Sequence, residues 1–159
     1  GLIVHPFNSM PFLTDHALPA VHRGLVKSGR ERSDFILEIN AIIITGETDE
    51  ARAAATVSVK SLLGFYASTP AYRPPMDAVG YGDMQPELNR LSKEGRWDEL
   101  GSYIDQSFLD AFATSGRPEE IAGKLRQKYG AYADRLAIYA PYAAPDEMWS
   151  SIVAELKAG

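Results

Sequence analysis

The chain has 159 residues, 45% of them hydrophobic and 23% charged, with a formal net charge of -5; this suits one ordinary soluble domain with its own core. No basic block stands out, so nucleic acid is not expected as a partner, and an anionic membrane surface would repel the chain. There is no cysteine, which excludes disulfides, thiolate metal sites and a cysteine nucleophile and fits a cytoplasmic setting.

The first element is a strand over Gly1 to His5, apolar at Leu2, Ile3 and Val4 and closed by His5-Pro6. The chain thus starts inside an apolar strand, which reads as a cut chain, because natural termini lie at exposed, loosely held positions. Residues 11 to 28 read as a helix with Leu18, Val21, Leu25 and Val26 on one face. Pro19 predicts a kink or a late start there, and Gly29 a left-handed end. A second strand spans Phe35 to Thr45. Its run Ala41 to Ile44 is apolar at successive positions, so both faces should be covered. That run is strand-sized, far short of the roughly 20 residues a membrane helix needs.

Residues 48 to 66 read as a helix capped by Thr48, with Asp49 and Glu50 in its first turn and a stripe of Val59, Leu62, Leu63 and Tyr66. From Ser68 to Ser115 the chain is too long for a plain crossover. It is rich in Gly, Pro and aromatics at first and helical from about Pro86 to Phe112, an insertion of the kind that covers active sites. A helix over 117 to 129 starts at Pro118, a third strand spans Arg135 to Ala140, and a last helix spans 145 to 157. The order strand-helix-strand-helix-insertion-strand-helix predicts an α/β fold with a parallel sheet. Three parallel strands leave open edges, so self-association as a homo-oligomer is expected.

The common catalytic motifs are absent: there is no GxGxxG placed between strand and helix, no P-loop, no GxSxG and no HExxH. His5, His16 and His22 have no ligand spacing, so no metal is expected. His5 ends a strand, where a catalytic or binding role competes with a plain hydrogen bond to the next loop. Thr45-Gly46 ends the second strand, where a ligand approach competes with a tight turn capped by Thr48. Tyr139 and Tyr142 flank the end of the third strand and could stack on a ring, although core packing serves Tyr139 equally well. Tyr72, Tyr81 and Trp97, with nearby Arg73, Arg90, Lys93 and Arg96, could hold a planar or anionic ligand. A helix pair with solvated charges is the plainer alternative.

Several stretches, taken in order, resemble the C-terminal half of the luciferase-like monooxygenase superfamily, in particular its F420-dependent oxidoreductase branch. They are Gly1 to Phe7, Ala41 to Glu47, Phe65 to Tyr72, Leu91 to Trp97, Gly116 to Ile121 and the strand Asp134 to Pro141. The resemblance spans nearly the whole chain. It implies a partial TIM (β/α)8 barrel made of barrel strands 6, 7 and 8, with residues 1–159 a single C-terminal fragment and 68–115 a helical insertion. It also implies F420 or FMN as cofactor, and hydride transfer to, or monooxygenation of, a small organic substrate. Cofactor-binding positions would be His5, Asn8, Thr45, Gly46, Tyr139 and Tyr142, with His5 the catalytic candidate. Tyr72, Tyr81 and Trp97 would meet the substrate. The alternatives are a catalytically incomplete fragment that folds as a homo-oligomer, and a small-molecule binding module.

Overall fold

The computed structural model describes residues 1–158. Its centre is the strand β2, Leu37–Ile44, the apolar run of the sequence. The strand β1, Leu2–Val4, pairs with the first half of β2, and β4, Arg135–Tyr139, pairs with Glu38 to Ile42. A fourth strand, β3, Ala113–Ser115, pairs with Ile42 to Ile44. All pairings are parallel. Ile39 is matched with both Val4 and Leu136, and Ile42 with both Ala113 and Tyr139. A strand has two edges, so β1 and β3 share one edge of β2 and β4 takes the other. The three expected strands therefore lie side by side in chain order. β3 is an addition at the end of the insertion expected over 68–115, where three residues are too few to show a period.

Between β1 and β2 the chain forms a short helix α1, Met10–Phe12, a wide π-helical turn Leu13–Ala17, and α2, Leu18–Ser28. Pro19 has no N–H to donate, and the widened turn precedes it without a break. Gly29 ends α2 with φ 65°, its amide and that of Arg30 turned back onto Val26 and Leu25. β2 leads into the long helix α3, Asp49–Ala67, where the Thr48 hydroxyl accepts the Ala51 N–H. Short helices follow: α4, Arg73–Asp77; α5, Gln85–Lys93; α6, Trp97–Leu100; and α7, Gln106–Phe112. After β3 comes α8, Pro118–Tyr129, whose Glu120 carboxylate accepts the Arg117 N–H, and α9, Asp146–Ala158, follows β4.

Strand register divides the sheet into two unequal faces. Val4, Leu37, Ile39, Ala41 and Ile43 point one way and are all buried, in one cluster with Leu13 of the π-helical turn, Ile121 and Leu125 of α8, and Met148 and Ile152 of α9. The other face is buried only at its C-terminal end. There Ile42 and Ile44 pack with Ala55, Val59 and Leu63 of α3 and with Phe108 and Phe112 of α7. Its N-terminal end stays open: Ile3 is 64% exposed, Arg135 is exposed, and Glu38, Asn40 and Ala137 are only half-buried. The crossovers follow one rule. The two that run toward β4 cross the fully covered face, and the one that returns from β2 to β3 crosses the other, as a single crossover hand requires.

Asp134 pins the start of β2 to β4. Its carboxylate accepts the Leu37 N–H at 2.7 Å and an Arg32 guanidinium N–H at 2.8 Å, while its own N–H donates to Leu37 O. Among the described residues, no helix is long and apolar enough to cross a membrane.

Candidate functional site

The half-open face carries a cluster of polar rings where the parallel strands end. His5 directly follows β1 and Tyr139 is the last residue of β4. These two positions lie on opposite sides of β2, and Tyr66, from the last turn of α3, spans them. Its ring meets His5 edge-on at 5.0 Å between centroids, and its hydroxyl lies 3.2 Å from that of Tyr139. Tyr72 completes the group. It stacks on His5 at 4.7 Å, stands edge-on to Tyr66 at 5.7 Å, and brings its hydroxyl to 3.2 Å from His5 Nε2. The ring of Phe7 supports the cluster from below, within 5.8 Å of both Tyr66 and Tyr72, and is itself stacked on Phe112 at 4.4 Å.

The local sequence explains the placement. Pro6 and the apolar Phe7 turn the chain inward after β1, so that Phe7 is buried while His5 is not. Tyr72 sits in a single tight turn, Pro70–Tyr72, with Pro74 and Pro75 close behind, which limits its backbone. Desolvation by the surrounding rings lowers the pKa of His5 below its ordinary value. Desolvation, and then the bond to Tyr139, pushes the Tyr66 hydroxyl well above the usual phenol range. Both shifts favour the neutral forms of His5 and Tyr66, and the cluster offers hydroxyl and imidazole groups for hydrogen bonding.

Beside it, along the outer edge of β1, runs a cleft of about 250 Å³. His5, Tyr72 and Asn8 are its polar members, and Leu2, Val4, Phe12, Pro74 and Pro75 are among its apolar walls. The Asn8 side-chain carbonyl is buried and has no partner.

A second, smaller cleft of about 200 Å³ lies where β2 ends, between the turn Thr45 to Thr48 and the loop Tyr142 to Pro145. Tyr142 ties the two together. Its hydroxyl donates to Ile43 O and accepts the Thr45 N–H, each at 3.0 Å. Burial pushes its pKa up. The Thr45 hydroxyl is buried without a partner. Gly46 is needed by the turn itself: a Cβ there would come to 2.8 Å from the Ala51 Cβ and 2.9 Å from the Arg52 amide, so the start of α3 could not close up.

The residues singled out from the sequence thus fall into two groups and two outliers. His5, Asn8, Tyr72 and Tyr139 gather around the ring cluster; Thr45, Gly46 and Tyr142 form the second cleft. The Tyr81 hydroxyl is bonded to the Asp105 carboxylate at 3.0 Å, and the Tyr81 ring stands edge-on to Phe108. Trp97 is 49% exposed and touches the cluster only through Phe65, 5.9 Å away, which in turn packs on Tyr66. By sequence Tyr66 falls within the apolar stripe of a helix. Its hydroxyl was the available signal, since a buried tyrosine needs a polar partner. Among the described residues no group of His, Asp or Glu is placed to hold a metal ion.

Comparison with known proteins bears on all of this. The chain is 43% identical over 136 residues to uncharacterised proteins of Mycobacterium tuberculosis and Mycobacterium bovis, an alignment that covers 86% of this chain and 40% of theirs. It therefore spans about two fifths of the length of these relatives. It is 21% identical over 108 residues to the 5,10-methylenetetrahydromethanopterin reductase of Archaeoglobus fulgidus, covering 67% of this chain and 32% of that protein. The model of the luciferase-like monooxygenase family matches residues 1–135, a span that holds the motifs from Gly1 to Ile121, and the chain belongs to that family.

Proposed function

We propose that the chain is part of a flavin- or F420-dependent oxidoreductase acting on a small organic substrate, and that the clefts at its strand ends contribute to the cofactor and substrate site. The observation that carries this reading is the ring cluster of His5, Tyr66, Tyr72 and Tyr139, set at the C-terminal ends of parallel strands on the face the helices leave half open. In a barrel of alternating strands and helices, that end of the strands is where ligands bind. The three strands β1, β2 and β4 would be consecutive barrel strands, 6 to 8, and the helices between α3 and β3 an insertion over the mouth. Membership of the luciferase-like family and the likeness to a reductase support the redox assignment.

The residues present fit a flat heteroaromatic ring. Tyr72 and His5 offer a plate to stack on, the apolar walls exclude water, and the unpartnered Asn8 carbonyl wants a donor such as a ring N–H. A bound flavin or deazaflavin would supply two-electron hydride chemistry. The protein's part is to bind, orient and desolvate the ring through His5, Asn8 and Tyr72, and to position substrate with neighbouring side chains.

Titration of the full chain with FMN and with F420, followed by visible absorbance and fluorescence, tests this. Saturable binding of either one, weakened by Tyr72→Ala, is expected; spectra identical to free cofactor across the titration would refute it. A second reading has its own support. Leu2 and Ile3 are 41% and 64% exposed on β1, which has a free edge, and Ile36, whose carbonyl accepts the Leu2 N–H on its paired side, is 44% exposed; together they are a surface suited to a second copy of the chain. Light scattering after size exclusion decides it, and a monomer at all concentrations would sink it.

A further inference from the structure

His5 is bonded at both ring nitrogens, and the two bonds are not equivalent. Nδ1 lies 3.1 Å from the backbone nitrogen of Phe7. A backbone amide can only donate, so Nδ1 is the acceptor and carries no proton. A neutral imidazole then holds its proton on Nε2. Nε2 lies 3.2 Å from the Tyr72 hydroxyl oxygen. With the proton on Nε2, the ring donates and the tyrosine oxygen accepts. The hydroxyl's own proton is left without a partner inside the cluster.

We infer that the Phe7 amide locks His5 in its Nε2–H tautomer, and that His5 thereby turns the Tyr72 hydroxyl proton outward, as a donor to a ligand carrying a lone-pair oxygen or nitrogen in the adjoining cleft. His5 is on this account a positioning residue, and Tyr72 the group that touches the ligand. Only the identity of the occupant rests on the proposed function; the tautomer does not.

The lock is rigid at both ends. Phe7 is 1% exposed and its ring is stacked on Phe112, so its amide cannot swing away from His5. The next residue closes the turn, its N–H donating to Pro6 O at 2.9 Å. Tyr72 is held by its own amide on Thr69 O and by its rings' contacts with His5 and Tyr66. A protonated amine has no lone pair to take the Tyr72 hydroxyl proton. A carbonyl, carboxylate or imine nitrogen could use it, which selects that chemistry.

Long-range nitrogen–proton NMR on the full chain, with histidine labelled in nitrogen-15 and the His5 signals identified by their loss in His5→Gln, reads the tautomer directly. At about pH 8, where histidine is neutral, Nδ1 should resonate as unprotonated and Nε2 as protonated. In Tyr72→Phe the Nε2 signal should move while the protonation pattern stays, since Phe7 still donates. A protonated Nδ1, or two nitrogens averaged between forms, would overturn the inference, as would a tautomer that flips in Tyr72→Phe. With FMN as the probe, Tyr72→Phe should bind about tenfold more weakly than the wild type; equal affinities would remove the donor role of Tyr72. The nitrogen spectrum decides the inference with or without flavin, and failure of the wild type to bind FMN or F420 counts against the proposed function alone.

Discussion

Single atoms govern what the strand ends can do. The Tyr142 hydroxyl serves both the Ile43 carbonyl and the Thr45 amide, so one side chain closes the end of β2. Tyr142→Phe leaves both backbone groups unpaired and should cost about 1–2 kcal/mol of stability, read from urea unfolding. A change under a few tenths would show that water takes over the bonds. His5 makes a pH-dependent contribution of definite sign. Desolvation lowers its folded pKa below that of the unfolded chain. In the interval between the two values the unfolded state binds more protons. Stability from this group is therefore complete above the unfolded value, near pH 6.5, and is lost as the pH falls through that value toward the folded one. His5→Gln should flatten the stability difference between about pH 8 and about pH 5; an unchanged difference would mean that other groups carry it.

At the scale of elements, the three-residue strand β3 raises a question of edges. Gly116 N–H donates to Ile44 O, so by alternation the polar groups of residues 113 and 115 face away from β2. Two lysines one helical turn apart on α8 cover them. Lys128 Nζ donates to Ala113 O at 3.2 Å and Lys124 Nζ to Ser115 O at 2.9 Å. Burial lowers the Lys128 pKa, an unfavourable term that the bond to the strand offsets. Lysine on a free edge blocks strand addition, so Lys124→Ala with Lys128→Ala should raise self-association. Light scattering at matched concentrations measures it, and an unaltered mass would show that the edge is guarded otherwise. Helix contact is set as tightly. A Cβ on Gly64 would come to 2.7 Å from the Leu100 backbone, where α3 meets α6. Gly64→Ala should cost about 1–3 kcal/mol by overpacking, and a neutral result would mean that α6 can slide.

For the molecule as a whole, Phe7 joins the core to the site. It packs with Phe108 and Phe112 inside the cluster that covers Ile42 and Ile44, and its backbone amide holds His5. Phe7→Ala should cost about 3–5 kcal/mol and disorder the His5 ring as well; loss of stability with the His5 NMR signals unmoved would separate the two roles. The long elements were legible beforehand because their signals are local. The apolar run Ala41 to Ile44 marked the central strand, Thr48 and Pro118 marked helix starts, and Gly29 marked a helix end, each residue acting on its own neighbours. Strand β3 was not legible, since three residues carry no period, and its place beside β1 depends on where α3 and the short helices bring the chain back. The site was half legible. His5, Tyr139 and Thr45 could be placed at strand ends from their position alone. That Tyr66 spans the sheet to join His5 with Tyr139, and that Tyr81 is taken up by Asp105, depends on contacts between residues 24 to 73 apart in sequence. The order of elements, the family motifs and the absence of cysteine follow from the sequence by itself, because periodicity, capping and composition act within a few residues. Which face stays open and which rings meet were decided only by tertiary structure, because those depend on packing that brings distant segments within contact, whereas the Phe7 amide that fixes the His5 proton lies only two residues along the chain.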